Sequence, residues 1–371
     1  MPKNAEVPSA WAPYVAWMKR APEVTYNLMG SNLLHCSVEE IPGARERLAL
    51  DGFHEEGYPP LLADIAGHYG VNMEQVSVAT GASGANFLVC GAVLETGDEV
   101  LVERPAYDPL LAVPRFLGAR IHRFDRVFEE GFQLNPERVK AALTPETRLI
   151  ILSNLHNPTG ALSSPESLLE VGRMAESVGA RVLVDEVYLE SVHGMDLAPA
   201  ATLSPLFIST SSLTKAYGLS GLRAGWSISS PEIAEAAKRV RDVVDGNGAF
   251  PAELLAHLAF QTLPALRERA RGILEPNMER LRGFMEGRGE LDWVPPAGGS
   301  VAFPRLRGTD DTWEFARRLR EEQDTGVVPG RFFEAPAHFR IALGGPGEIL
   351  EAGLSRLGRF LDRNQEGSPI A

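Results

Sequence analysis

Residues 211–226 contain a lysine in a setting that suits covalent chemistry. Lys215 follows a short apolar run that ends in serines, and Arg223 comes after it among glycines. An amine held among small polar neighbours can have a lowered pKa and form imines with carbonyl compounds. An arginine close to hydroxyl groups makes an anion site. The segment therefore predicts an imine-forming lysine beside a bound anion.

Two other polar groups follow apolar runs that predict strands. Asp185 ends residues 181–185, where a carboxylate is poorly solvated and needs a cationic or hydrogen-bonding partner. Asn157 lies in residues 154–160, directly after another such run, at the position where open α/β sheets bind ligands. Each has a plainer interpretation as well: a helix N-cap for Asp185 and a simple turn around Asn157.

A glycine-rich turn at residues 80–84 separates a predicted strand from an apolar helix. Such turns let backbone N–H groups and a helix N-terminus face an anion. The turn lacks both the GxGxxG spacing of a dinucleotide site and the ending of a P-loop. With Lys215, Asp185 and the pair Asn157 and Tyr188, which can bind a phenolic oxygen, it matches one cofactor. Pyridoxal 5′-phosphate is held by a Schiff-base lysine and an acidic partner for its ring nitrogen.

A parallel sheet is needed to position these groups. Short runs rich in Val, Ile and Leu predict buried strands at residues 76–80, 99–102, 120–124, 149–153, 181–185, 207–211 and 225–229. Helix-length segments between several of them favour βαβ units and a mainly parallel sheet covered on both faces. Helical patterns follow up to residue 288, and short strands and helices mix again from residue 293.

We therefore expect an α/β fold with two domains. The large domain, residues 46–279, is predicted to hold a mainly parallel sheet of the seven-stranded type flanked by helices. Residues 1–45 and 280–371 are predicted to form a small α+β domain, with the site in the cleft between the two. An aromatic cluster of Trp11, Tyr14 and Trp17 is expected to pack on the body of the protein.

Composition narrows the function classes. The 371 residues carry 36 Lys and Arg against 49 Asp and Glu, a net charge of -13 that disfavours a nucleic-acid partner. Cys36 and Cys90 are too few for a disulfide framework or a cysteine-based zinc site, and we predict no metal. Neither a signal-peptide pattern nor an apolar stretch of spanning length is found, so we predict a cytoplasmic protein without a membrane partner.

In this order, the motifs between about Tyr58 and Gly344 resemble those of the class I/II aminotransferases, the fold-type I pyridoxal-phosphate enzymes. The resemblance implies that Lys215 holds the cofactor as a Schiff base and moves the substrate's proton. It implies that Asp185 pairs with the pyridinium nitrogen and keeps the ring able to accept electrons. Asn157 and Tyr188 would bind the ring's 3-oxygen, with Asn157 also beside the substrate.

Further binding roles follow from the same resemblance. The phosphate would be held by Gly81, Ala82, Ser83, Ser212 and Arg223. Tyr107 matches the aromatic residue that stacks on the ring, and Arg340 matches the arginine whose bidentate fork grips the substrate's α-carboxylate. Tyr58 matches a residue that, in a homodimer, reaches the phosphate of the partner subunit's site.

The chain departs from the family pattern at three places. Leu155 replaces the first Pro of the Asn-Pro-x-Asn-Pro-Thr-Gly motif, and we expect this to be tolerated. Pro59 and Pro60 follow Tyr58 where relatives have a glycine. Residues 28–32 lack the Gly-x-Pro pattern of the substrate loop, so the resemblance assigns no substrate contact there.

The leading hypothesis is a homodimeric aminotransferase that moves an amino group between an L-amino acid and a 2-oxo acid by a ping-pong route. A β- or γ-eliminating lyase, or a cyclising enzyme, starts from the same α-carbanion and would use the same site. A non-catalytic sensor that binds pyridoxal phosphate is a third hypothesis. A dinucleotide-dependent oxidoreductase needs the missing fingerprint. Arg340 predicts an α-carboxylate, and the substrate's side chain stays open.

Overall fold

The computed structural model describes residues 12–195 and 197–367, so Trp11 lies outside the described residues. The helices of this part of the chain are α1 Pro13–Met18, α2 Ala44–Arg47, α3 Pro59–Tyr69, α4 Gly81–Val93, α5 Pro109–Phe116, α6 Pro136–Ala142, α7 Pro165–Ser177, α8 Pro231–Val244, α9 Phe250–Phe260, α10 Leu263–Met285, α11 Trp313–Gln323 and α12 Gly347–Gly367. Within the described ranges, no helix is both long and apolar enough to cross a bilayer.

The strands are β1 Tyr26–Asn27, β2 Val76–Thr80, β3 Glu99–Arg104, β4 Arg120–Asp125, β5 Thr147–Ser153, β6 Arg181–Asp185, β7 Phe207–Ser212, β8 Ala224–Ile228, β9 Leu291–Asp292, β10 Val301–Ala302, β11 Arg305–Leu306, β12 Thr325–Gly326, β13 Val328–Pro329 and β14 Phe339–Ala342. Seven of them form one sheet in the order β2-β8-β7-β6-β5-β3-β4. Strands β7, β6, β5, β3 and β4 are parallel, and β8 is antiparallel to both of its neighbours. The predicted α/β fold with a mainly parallel seven-stranded sheet is confirmed.

Because β5, β6 and β7 are parallel, the polar groups at their ends lie at the same edge of this sheet. Strands β5, β6 and β7 are in register, so Ser153 pairs with Asp185, and Asp185 pairs with Thr210. Strand β8 runs the opposite way, and the residue before it, Arg223, therefore lies at the edge where the parallel strands end. Open α/β sheets bind ligands at this edge. The direction of β8, which the sequence analysis did not predict, adds an arginine there.

Helices cover both faces of the sheet. Alternate residues of β5 point to opposite sides, with Ile150 packed in a cluster with α6 and α7, and Ile151 packed in a cluster with α4 and α5. Helix α7 begins as its sequence predicts, because the Ser164 hydroxyl accepts a hydrogen bond from the Ser167 amide and Pro165 occupies the first turn. The sheet edge is therefore held by a core on each side.

Another hydrophobic core lies under α10, α11 and α12, with Phe315, Phe339 and Phe360 among its buried residues. Helix α10 contributes to two cores, since Leu266 packs with α3 and α9 whereas Leu281 packs here. The domain bounds stay a prediction. A further group of buried side chains around β13 contains Tyr14 and Trp17, so these two aromatic residues pack on the body of the protein as expected.

Candidate active site

A cavity of about 170 Å³ opens where the parallel strands end. Its walls are formed by Ser31, Asn32, Ala82, Ser83, Tyr107, Leu110, Ser153, Asn157, Asp185, Val187, Tyr188, Ser212, Thr214, Lys215 and Arg223. Nine of the twelve predicted site residues are in this set. Gly81, Arg340 and Tyr58 are not, and their positions are described below. A surface cleft of about 650 Å³ beside His68 and Arg267 is larger, but it contains none of the predicted residues.

Lys215 faces this cavity with its amine tied to the amino-terminal segment. Its Nζ donates to Ser31 Oγ at 2.8 Å and to Asn32 Oδ1 at 2.6 Å. Burial, helped by the positive charges of Arg340 and Arg223 and opposed by Asp185, lowers the pKa of Lys215 to about 7. The uncharged amine, which is the form that makes imines, is therefore populated near neutral pH.

Asp185 ends β6 as a buried carboxylate with two hydrogen bonds. Oδ2 accepts from Asn86 Nδ2 at 2.8 Å, and Oδ1 accepts from the Val187 amide at 3.2 Å. Burial raises the pKa of Asp185, and the hydrogen bond from Asn86 opposes that rise. Asn86 in turn accepts from the Thr210 hydroxyl at 2.6 Å. The sequence analysis missed Asn86, although an amide in an otherwise apolar helix is a visible signal.

The predicted anion cradle lies at the start of α4. The helix begins at Gly81, four residues before its predicted start, so the glycine-rich segment is a helical first turn and not a loop. Gly81 has φ +71°, and a Cβ there would lie 2.3 Å from Arg223 Nη2. Only glycine lets the guanidinium approach the helix N-terminus this closely. The backbone amides in the first turn of α4, the hydroxyls of Ser83 and Ser212, and Arg223 together fit a phosphate.

Asn157 and Tyr188 lie on the walls of the same cavity. The Asn157 side-chain oxygen is buried, and in the described chain it has no hydrogen-bond partner. A ligand that satisfied it would remove the cost of that unpaired group. The Tyr188 hydroxyl donates to the Ser31 carbonyl at 3.4 Å, and burial raises the pKa of Tyr188 to about 12, so it is a donor at neutral pH. The Asn157 oxygen fits a ligand that donates a hydrogen bond to it, and the Tyr188 hydroxyl fits a ligand with an acceptor oxygen.

Arg340 lies behind the cavity on β14, fully buried. Its Nη2 donates to the Tyr14 hydroxyl and to the Met29 carbonyl, the latter at 3.2 Å. Nε and Nη1 are buried without a hydrogen-bond partner among the described residues. A buried cation with unpaired donors is costly unless an anion joins it. Its position therefore fits the predicted carboxylate site.

A buried polar network lies directly under the cavity. Glu103 accepts from the Ser153 amide at 2.6 Å and from Arg126 Nη1 at 2.9 Å. Ser153 Oγ accepts in turn from the Asn157 amide at 2.9 Å. Burial raises the pKa of Glu103, and Arg126 opposes the rise. The network was not predicted, and it fixes the backbone on which Asn157 is placed.

His156 also lies below the cavity and takes no part in its wall. Its ring nitrogens contact the Thr159 hydroxyl at 2.7 Å and the Pro105 carbonyl at 2.9 Å. Burial holds the pKa of His156 well below its usual range, so the ring is neutral. Leu155, which precedes His156 and replaces the proline of the family motif, also fits, since it packs against Tyr188 and Val192.

Tyr58 does not line the cavity and packs beside α9 instead. It precedes α3, with its ring 5.5 Å from that of Phe250 and 5.6 Å from that of His257. Its backbone amide donates to Glu253 Oε2 at 2.7 Å. A role for Tyr58 in a partner subunit's site stays a prediction.

Comparison with known proteins identifies the family. Residues 32–357 match the model of aminotransferase class I and II. Two curated relatives are similar: the capreomycidine synthase of Streptomyces vinaceus, 31% identical over 79% of this chain and 76% of the relative, and the aspartate/prephenate aminotransferase of Thermus thermophilus, 30% identical over 87% and 82%.

Solved structures agree with this match. A pyridoxal-phosphate-dependent aminotransferase from Streptococcus suis superposes with a TM-score of 0.89, at 28% identity over 95% of this chain and 97% of that one. A pyridoxal-phosphate-dependent cyclase, OrfR, superposes with a TM-score of 0.86, at 29% identity over 95% and 97%. The chain thus belongs to the class I and II aminotransferase family, whose enzymes depend on pyridoxal 5′-phosphate.

Proposed function

We propose that this enzyme transfers an amino group between an L-amino acid and a 2-oxo acid by a ping-pong route at the cavity around Lys215. The observation that carries the proposal is that Lys215, whose pKa burial lowers to about 7, lines one cavity with Asp185 and Arg223. Arg223 and the start of α4 form one anion site in this cavity, and the buried Arg340, whose charge acts on Lys215, forms a second with two unpaired nitrogens. A cofactor phosphate and a substrate carboxylate would occupy these sites.

When bound, pyridoxal phosphate would supply a ring that accepts the electrons left on the substrate's α-carbon when its bond to hydrogen breaks. In the proposal Lys215 would hold the cofactor through its amine and would move the substrate's α-proton. Asp185, held by Asn86, stabilises a positive charge on the ring nitrogen. Asn157 and Tyr188 would hold the ring at its 3-oxygen, and Asn157 would also lie beside the substrate.

Other predicted residues complete the binding site. Tyr107 forms a wall of the cavity where a ring would stack, and burial raises the pKa of its hydroxyl, so that it stays neutral. The phosphate would be held by Gly81, Ala82, Ser83, Ser212 and Arg223. Arg340 would bind the α-carboxylate by a charge-assisted hydrogen bond from Nε or Nη1, the nitrogens that lack a partner among the described residues.

A cyclising or eliminating enzyme is the second candidate. The similarity to a capreomycidine synthase and to a pyridoxal-phosphate-dependent cyclase favours it, because both match most of this chain at identities close to those of the aminotransferases. The cofactor residues serve either reaction equally, so the product must separate them. Transfer needs a 2-oxo acid as acceptor, whereas cyclisation or elimination converts a single substrate.

The assembly we propose is a homodimer, as predicted from Tyr58. The segment before Tyr58 exposes large apolar side chains, with Leu48 49%, Leu50 80% and Phe53 65% exposed. Exposed apolar groups of this size in one short segment are typical of an interface. From the resemblance, the Tyr58 of a second copy would reach the phosphate site. Sedimentation equilibrium tests this, and a monomer at micromolar concentration would contradict it. A cytoplasmic location stays a prediction.

Visible spectroscopy tests the reaction. The protein is loaded with pyridoxal phosphate, L-amino acids are added one at a time, and a 2-oxo acid is added to each mixture that responds. Transfer predicts that the yellow absorption bleaches with one class of amino acid and returns with the 2-oxo acid. Bleaching that releases ammonia, or a rearranged product without any acceptor, would contradict transfer and favour the second candidate. A chain that binds no pyridoxal phosphate would contradict both.

A further inference from the structure

The amino-terminal helix α1 places Tyr14 directly on Arg340. The Tyr14 hydroxyl accepts a hydrogen bond from Arg340 Nη2 across 326 positions of sequence. The guanidinium carbon lies 4.9 Å from the centre of the Tyr14 ring and 4.9 Å from that of Phe333. Tyr14 is only 5% exposed, so its ring also screens Arg340 from water. One side chain thus orients, contacts and desolvates the arginine.

Tyr14 is itself held from the cavity side. Its backbone amide donates to Asp108 Oδ2 at 2.9 Å, and Asp108 directly follows the cavity residue Tyr107. The Tyr14 ring contacts Tyr107 edge-on with centroids 6.0 Å apart, and it lies 5.4 Å from the Phe333 ring. The position of the Tyr14 hydroxyl is therefore set by two separate parts of the site.

Arg340 has the character of an incomplete anion site. Among the described residues no carboxylate accepts a hydrogen bond from it, and its Nε and Nη1 have no hydrogen-bond partner. The Tyr14 hydroxyl and the Met29 carbonyl both bind Nη2, which fixes the plane of the guanidinium. A fixed plane matters because it sets the direction in which the unpaired Nε and Nη1 groups donate to a carboxylate.

We propose that Tyr14 is a positioning residue for the substrate's α-carboxylate, acting through Arg340. The inference rests on the proposed role of Arg340 and goes beyond it, since it assigns part of the carboxylate site to the amino-terminal helix. Tyr14 holds the guanidinium in a single orientation and keeps water from it. Ligands with a carboxylate gain from this arrangement, and ligands without one do not.

The variant Tyr14→Phe removes the hydroxyl and keeps the ring. We expect its dissociation constant for a reactive amino acid, read from the spectral change of the loaded enzyme, to rise about tenfold, because a hydrogen bond to a charged group is lost. The dissociation constant for the matching primary amine, which lacks the carboxylate, should stay unchanged. The resting absorption spectrum and kcat should change little, so that the loss falls on KM.

Two further measurements separate the possible failures. Binding of propanoate, followed by thermal shift against concentration, needs no reaction, so it tests Tyr14 even if no amino acid bleaches the chromophore and the proposed function is wrong. Trp17→Phe is the control, because Trp17 lies on the same helix and packs against Phe332, with a centroid distance of 5.0 Å. This control should bind propanoate and the amino acid as the parent does.

Several outcomes would overturn the proposal. Unchanged affinity of Tyr14→Phe for both propanoate and the amino acid would do so, and so would equal losses for the amino acid and its carboxylate-free amine. If Tyr14→Phe does not fold, Asp108→Ala gives a second test, since it removes the acceptor that anchors Tyr14. A smaller loss, still confined to carboxylate ligands, would support the inference, and a loss shared by the amine would overturn it.

Discussion

Two regions of the chain meet around Lys215, and they are built in different ways. The sheet edge contributes Lys215, Asp185 and Arg223 from the ends of neighbouring strands. The amino-terminal segment, residues 12–34, contributes Tyr14, Ser31 and Asn32 from contacts that span more than 180 positions. The first set is placed by the backbone of a sheet, and the second by side-chain contacts between distant segments.

This difference leads to a difference in role. A strand end in the middle of a sheet is fixed by hydrogen bonds on both sides, as Asp185 is by its pairing with Ser153 and Thr210. The amino-terminal segment has only a two-residue strand pairing, between β1 and β12 among the described strands, with isolated backbone hydrogen bonds beyond it at Leu28 and Leu34. We therefore expect the sheet edge to carry the chemistry and the amino-terminal segment to tune affinity.

The largest effect belongs to the sheet edge. Lys215→Ala removes the amine that binds the cofactor and moves the proton, so turnover should fall roughly a thousandfold or more. Steady-state kinetics and the loss of the Schiff-base absorption check this. Lys140→Ala is the control, because Lys140 is an exposed lysine of α6 whose ammonium lies 3.9 Å from Glu137. Turnover near the parent value in Lys215→Ala would contradict the assignment of the chemistry to the sheet edge.

A pH series sharpens the same point without any substrate. Because burial lowers the pKa of Lys215 to about 7, the amine is protonated and unreactive below that pH and free above it. The rate of chromophore formation from added pyridoxal phosphate should rise about tenfold from pH 6 to pH 8 and then level off. A free lysine derivative with its ordinary pKa serves as control. A rate that keeps rising beyond pH 9 would contradict the lowered pKa.

The same comparison explains what the sequence predicted. The strand ends could be recognised, because each follows a short run of Val, Ile and Leu whose pattern is local. The order of strands and the direction of β8 could not, since pairing depends on distant segments. Strand β3 was predicted to stop at residue 102, yet it continues to Arg104 because the charge of Glu103 is paired with Arg126 inside the protein.

The amino-terminal residues show most clearly which contacts a local sequence pattern does not predict. Ser31 and Asn32 lie in a segment that departs from the family's loop pattern, and nothing local links them to a lysine 183 positions away. Tyr14 was predicted only to pack on the body, and it does, but its hydroxyl also reaches Arg340. Tertiary contacts decide these roles, so one sequence without a structure does not contain them.

The smallest effect should come from the mouth of the cavity. Asn32 is exposed, and its Oδ1 lies 2.6 Å from Lys215 Nζ, so Asn32→Ala removes one hydrogen bond that water can largely replace. We expect kcat/KM to fall by about threefold, the loss of a modest hydrogen bond, with the pH at which the chromophore forms nearly unchanged. Kinetics on the substrate found by spectroscopy measure it. If Asn32→Ala instead lost activity as completely as Lys215→Ala, the amino-terminal segment would share the chemistry, and the division between a catalytic sheet edge and a tuning segment would fail.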